Sequence, residues 1–128
     1  MINGAHILIY SKDPAADRAF FRDVLGFRFV NVGEDWLIFA LPPSELAVHP
    51  GEGDLGLRHA DRNMLGAVVY FMCDDLKETM KSLKAKKVEC TEVSKASWGS
   101  KTTIRLPSGG EVGLYQPTHE TAIGLGKP

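Results

Sequence analysis

The sequence predicts an α+β chain made of two copies of one βαβββ module. Three observations predict it. The order strand, helix, strand, strand, strand is read twice along the 128 residues. A single offset of 61 lays Asp13 on Asp74, Phe27 on Val88 and His6 on Ala67. Between the copies stands HPGEGDLGLRHADRNMLG, a Gly-rich polar stretch suited to linking modules. Identity between the halves is weak, so order and spacing carry the repeat.

Each element follows from local chemistry. HILIY is a short apolar, β-branched run, as expected of a strand. SKDPAADRAFFRDVLGF supplies Ser11 or Asp13 as N-cap, Pro14 in the first turn, a helical stripe at Ala16, Phe20 and Val24, and Gly26 as terminator. FRFVNV, DWLIFA and ELAVHP read as three strands separated by Gly33-Glu34-Asp35 and Pro42-Pro43-Ser44. In the second copy AVVYFMC is a strand, and DDLKETMKSLKAKK is a helix with its stripe at Leu76, Met80 and Leu83. VECTEV, KTTIRL and EVGLYQP complete it. The expected division is one domain over 1–128: a first module over about 4–50, a linker over about 51–65, a second module over about 66–117, and a tail over 118–128 without periodic pattern.

Composition excludes several classes. The chain is long enough to bury a core without disulfides or metals. A net charge of −1 offers no electrostatic footprint for nucleic acid or anionic membrane, and KSLKAKK reads as the solvated face of a helix. The apolar patch in MINGAHILIYSKDP is too short for a signal peptide or a membrane span. Cys73 and Cys90 lack CxxC spacing, which argues against a disulfide scaffold or zinc ribbon and fits a reducing cytoplasm. Cys73 is expected to pack as a small hydrophobe.

LPSGGEVGLYQP, residues 106–117, carries the first functional hint. A turn at Pro107-Ser108-Gly109-Gly110 launches a strand with Glu111, Gly113 and Tyr115 on one face and Val112 and Leu114 on the other. Gly113 stands in the strand interior, where it presents no side chain. Trp98, in KASWGS beside Gly99, has bulk and an indole donor, and serves equally as pocket wall or core cap. Trp36 alternates with Ile38 and reads as core or interface.

A paired βαβββ chain of this length resembles the vicinal oxygen chelate superfamily, the group of glyoxalase I, bleomycin-resistance proteins, fosfomycin-resistance enzymes and extradiol dioxygenases. HILIYSKDPAADRAFFRDVLGF resembles that family's first strand and helix, YFMCDDLKETMKSLKAKKV its second, and SWGSKTTIRLPSGGEVGLYQP its last hairpin. The resemblance runs from about His6 to Pro117. It implies curved mixed sheets around a cup-shaped cavity, and a homodimer, which two-fold symmetry also makes the default.

The resemblance also implies a metal site with one ligand from the first and one from the last strand of each module. It carries His6 onto the first ligand and Glu45 onto the second. The third place falls on Ala67 or Val68, and the fourth, normally a carboxylate, on Gly113. Open catalytic sites typically need about three protein ligands, so a divalent ion is disfavoured and no other cofactor is specified. Glu111 shares the face of Gly113 but lies about 6–7 Å along the strand. His49 lies about 13 Å along from Glu45, and His59 and His119 fall in the linker and the tail.

Two readings result. The first is a cytoplasmic small-molecule-binding protein with an incomplete metal site, sequestering a drug or metabolite. Its pocket would draw on His6, Glu45, Trp98, Glu111, Gly113 and Tyr115. The alternative is a metal-dependent lyase, transferase or dioxygenase using His6, Glu45 and a displaced third ligand such as Glu111. A purely structural or interaction module is the third reading, favoured if no cavity opens beside Gly113.

Overall fold

In the computed structural model, residues 1–126 are described; the last two residues of the expected tail lie outside them. Two ten-residue helices and eight strands make an α+β fold with mixed sheets that do not close into a barrel. Helix α1, Pro14–Asp23, starts where Asp13 caps it: the Asp13 carboxylate accepts from the Ala16 N–H at 3.2 Å, and Pro14 fills the first helical position. Ser11, the other candidate cap, instead accepts from the Asp13 N–H at 3.0 Å. Strands β1 (Phe29–Asn31) and β2 (Leu37–Phe39) form a hairpin, turned by Glu34 and Asp35, both at positive φ. Strands β3 (Gly56–His59) and β4 (Arg62–Leu65) form a second hairpin.

The second half builds the complete βαβββ unit. Strand β5 (Tyr70–Met72) leads into helix α2 (Leu76–Ala85), capped by Asp75 on the Glu78 N–H at 3.1 Å. Strands β6 (Ser94–Ala96), β7 (Gly99–Arg105) and β8 (Glu111–Pro117) follow as a meander. Their order in the sheet is β5-β8-β7-β6, so α2 carries the chain from one edge to the other. β5 lies parallel to β8, and the remaining pairs are antiparallel.

One face of this sheet holds the core. Ile104, Val112 and Leu114 are buried against Leu76 and Leu83 of α2, with Phe20 of α1 in the same cluster. The stripes expected on both helices are therefore the faces that pack, Met80 being partly buried at the margin. Phe21 and Phe27 from the first half meet Phe71 of β5 edge-on at 6.4 and 5.2 Å, while Phe21 also stacks on Phe27 and tilts against Phe39.

The first half departs from expectation in two places. HILIY and ELAVHP join no ladder, and Ile7, Leu8 and Ile9 are each close to half exposed. β propensity describes how a side chain suits a pleated surface; a strand needs a partner's backbone as well. Conversely, the stretch read as linker folds into the β3–β4 hairpin, turned by Ala60 and Asp61, both at positive φ. Those residues lack the Asn-Gly signal that announces such a turn in sequence.

Candidate functional site

The register of the second sheet explains Gly113. β5 and β8 are parallel with Tyr70 opposite Gly113, and Thr103 of β7 lies opposite on the other side. Residues in register share a face, so the Tyr70 side chain comes up beside the bare glycine. It leans across it: a Cβ on Gly113 would overlap the Cδ1–Cε1 edge of the Tyr70 ring. The place matching a metal-binding carboxylate is thus covered by a phenol ring.

Around Tyr70 stands an aromatic cluster. Tyr115, two residues along β8, packs edge-on against Tyr70 at 6.0 Å and against Trp98 at 5.5 Å, and donates its hydroxyl to the Trp98 carbonyl at 3.2 Å. Lys101 of β7 places Nζ 5.8 Å from the centre of the Tyr70 ring and 5.5 Å from that of Trp98. Gly99 is needed for close approach rather than for movement, since a Cβ there would lie 2.6 Å from the Gln116 carbonyl oxygen. Among the residues singled out in sequence, Trp98, Gly113 and Tyr115 therefore share one face.

Glu45 reaches that face from the first half. Its Oε2 accepts from the Ala122 N–H at 2.6 Å and its Oε1 lies 3.9 Å from His119 Nε2, while the His119 ring tilts against Tyr115 at 5.8 Å. The Tyr115 phenol is held above the ordinary tyrosine range, first by burial and then by the negative charge of Glu45. Glu111 is exposed at the start of β8. Ala67 and Val68, the third metal place, are both exposed and border a small cavity of about 210 Å³ together with Glu111.

His6 lies elsewhere. It borders a cavity of about 960 Å³ between residues 3–11, α1, the β1–β2 hairpin and β5. The walls are mainly apolar: Ile7, Leu8 and Ile9 on one side, Phe21, Phe27, Phe39 and Phe71 on another, and Trp36 and Leu37 from the hairpin region. Trp36 is half exposed and has the Arg18 guanidinium 5.0 Å above its ring, so it is a wall of this cavity rather than core. Arg18 had no sequence signal beyond its place on the polar side of an amphipathic helix.

The donor set does not fit a divalent ion. His6 borders one cavity while Glu45 is engaged by Ala122 and His119, and among the described residues no three His, Cys, Asp or Glu side chains converge. Nor is there an activated thiol: burial raises Cys73 and Cys90 above the usual cysteine range, and the Cys73 thiol donates to the Tyr115 carbonyl at 3.7 Å. What the arrangement offers chemically is apolar and aromatic surface with a few polar groups at its margins.

An α+β chain with a complete βαβββ unit beside a large apolar cavity defines the class of fold. This chain belongs to the Glyoxalase/Bleomycin resistance protein/Dioxygenase superfamily, whose family model matches residues 4–112. Solved structures agree on the fold. Lactoylglutathione lyase from Agrobacterium tumefaciens superposes with a TM-score of 0.60 at 19% identity, covering 89% of this chain and 92% of that one. TnmS3, an antibiotic binding protein from Streptomyces sp. CB03234, gives 0.58 at 17% identity over 92% and 100%. A superfamily member from Sphaerobacter thermophilus DSM 20745 gives 0.56 at 20% identity over 90% and 98%. Among curated proteins none matches the chain. No described helix is long and apolar enough to cross a membrane.

Proposed function

We propose that this protein binds and sequesters a small organic molecule, a drug or metabolite, without a metal ion. The cavity of about 960 Å³ carries this reading. Its volume is at the upper end of the ~300–1,000 Å³ usual for small-molecule sites, and its aromatic and aliphatic walls match the usual lining. An antibiotic binding protein of the same fold supports sequestration as the use. Of the residues proposed from sequence, His6 belongs to this cavity. Glu45, Trp98, Glu111 and Tyr115 lie on the second sheet's open face and margin, where the Tyr70 ring fills the place beside Gly113, so the ligand space expected there is provided by the large cavity instead.

The reading includes a two-fold homodimer in the cytoplasm. The unladdered apolar run Ile7–Tyr10 and the open outer edge of β5 support the dimer, since unpaired apolar strands seek a partner backbone. Two unbridged cysteines support a reducing compartment.

The test is thermal stability against a chemically varied panel of small molecules, using wild type and Val69→Phe, which narrows the cavity. A true ligand at ~100 times its Kd stabilises by about 2.7 kcal/mol. Wild type should respond to one chemical class and Val69→Phe much less. A panel without any response, or equal responses from a folded Val69→Phe, refutes the cavity as the site.

A further inference from the structure

The geometry points to an organic anion as the occupant of the large cavity: an apolar body carrying one carboxylate, which seats on the guanidinium of Arg18. This rests on reading the cavity as the ligand site and adds the chemical class of the ligand.

Charge bookkeeping around the cavity leads there. Only two bordering residues carry a permanent charge, Asp17 and Arg18, neighbours on α1. Their states are opposite. Asp17 is 3% exposed and has both carboxylate oxygens engaged: Oδ1 accepts from the Ser108 N–H at 3.0 Å and Oδ2 from the Ser108 hydroxyl at 2.7 Å. It is turned toward the β7–β8 turn and is satisfied there.

Arg18 has no such partner. Among the described residues the one arginine–carboxylate pair is Arg22 with Asp23, so Arg18, itself partly buried, carries its charge without a carboxylate. Its one marked contact is the Trp36 ring, 5.0 Å away. A cation–π contact with an indole restrains the guanidinium without using up its N–H donors. A restrained guanidinium matches a carboxylate with two parallel hydrogen bonds, and the apolar environment strengthens each of them.

The remaining wall chemistry selects the rest of the ligand. Leu8, Phe21, Phe27, Phe39 and Phe71 offer an extended apolar lining with no second charge to satisfy. A ligand with several charges would leave all but one unpaired and desolvated. A neutral ligand would leave the guanidinium partly desolvated and still unpaired. One carboxylate on a hydrocarbon body satisfies both regions at once.

The test uses calorimetric titration of the full chain with dodecanoate and with dodecanol, both below their aggregation concentrations, on wild type, Arg18→Gln and Arg18→Lys. Dodecanoate should bind wild type at least about tenfold more tightly than dodecanol, the scale of a charge-assisted hydrogen-bonded pair. In Arg18→Gln that preference should vanish while dodecanol binding stays. Arg18→Lys should keep part of it, because the charge remains and the fork is lost. Equal binding of both probes to wild type, or a preference that survives Arg18→Gln, overturns the anion assignment and leaves the cavity reading standing. Binding of neither probe to wild type overturns both. Far-UV circular dichroism checks that each variant is folded.

Discussion

The two halves of this chain carry the same expected order of elements and reach different structures. In the second half every strand has a neighbour, and the core side chains disappear from solvent: Ile104 is 1% exposed and Leu114 4%. In the first half the central hairpin pairs, the flanking apolar segments do not, and Ile7 and Leu8 remain 48% and 49% exposed. Hydrophobic pattern alone does not separate HILIY from AVVYFMC. What separates them is a neighbouring strand: AVVYFMC lies against β8, the longest run of the sheet along with β7. The large cavity is a consequence, because residues 3–11 border the space beside α1 without filling it.

The sharpest way to break this comparison is to truncate one apolar side chain in each half. Ile104→Ala removes a fully buried side chain from the middle of the core and should cost about 2–5 kcal/mol of unfolding free energy. Ile9→Ala, at a half-exposed site, should cost well under half as much in an isolated chain. Denaturant unfolding of both variants measures the difference. If Ile9→Ala costs as much as Ile104→Ala, and its cost falls on dilution, the first strand is laddered against a second copy.

Asp17 sharpens the comparison from the other side, because it fastens the halves together. Its carboxylate is the acceptor for two Ser108 donors 91 residues away. Asp17→Ala leaves those donors unpaired at a part-buried site and should cost about 1–3 kcal/mol. Asp17→Asn should fall between, keeping one acceptor. A cost within error for Asp17→Ala would mean that the halves are held by their apolar contacts, Phe20 in the core and the phenylalanine cluster, without help from this clamp.

Much of this was legible in the sequence, for reasons that differ by element. Helix caps are local, so Asp13 and Pro14 could be read directly. The sides of β8 are also local, and Val112 and Leu114 point into the core as alternation requires. Gly113 was legible as an empty place, yet its occupant was not, because Tyr70 arrives through a parallel pairing 43 positions away in sequence. Arg18 was hidden for a related reason. On an amphipathic helix an arginine is the ordinary polar residue, and only the approach of Trp36 and the diversion of Asp17 single it out.

The glycine itself gives a smaller, more local prediction. Gly113→Ala must push the Tyr70 ring aside, and because Tyr70 is partly exposed the ring can swing toward solvent, so the cost should be about 1 kcal/mol. Tyr70→Ala in the same chain should relieve it. The two changes should therefore be non-additive by about 0.5 kcal/mol or more, the threshold expected for residues in contact. Additive costs would mean that the Tyr70 ring is not what fills the place beside Gly113.

The smallest expected effect tests whether the first half touches the aromatic face of the second. Tyr115 is raised above the ordinary tyrosine range mainly by burial and secondarily by Glu45, which belongs to the unladdered segment 41–55. A negative charge nearby disfavours the phenolate, so Glu45→Gln should lower the Tyr115 titration without returning it to the ordinary value, since the larger cause remains. The sign for stability follows from linkage. The folded state prefers the neutral phenol, so this contribution is complete below the ordinary tyrosine range and is lost as pH rises through the raised folded value. Glu45→Gln should narrow that alkaline window. Ultraviolet titration of wild type and Glu45→Gln, each referenced to its Tyr115→Phe counterpart, isolates the one phenol. An unchanged titration in Glu45→Gln would detach residues 41–55 from the Tyr115 face and leave the Asp17–Ser108 clamp and the phenylalanine cluster as the joints between the halves.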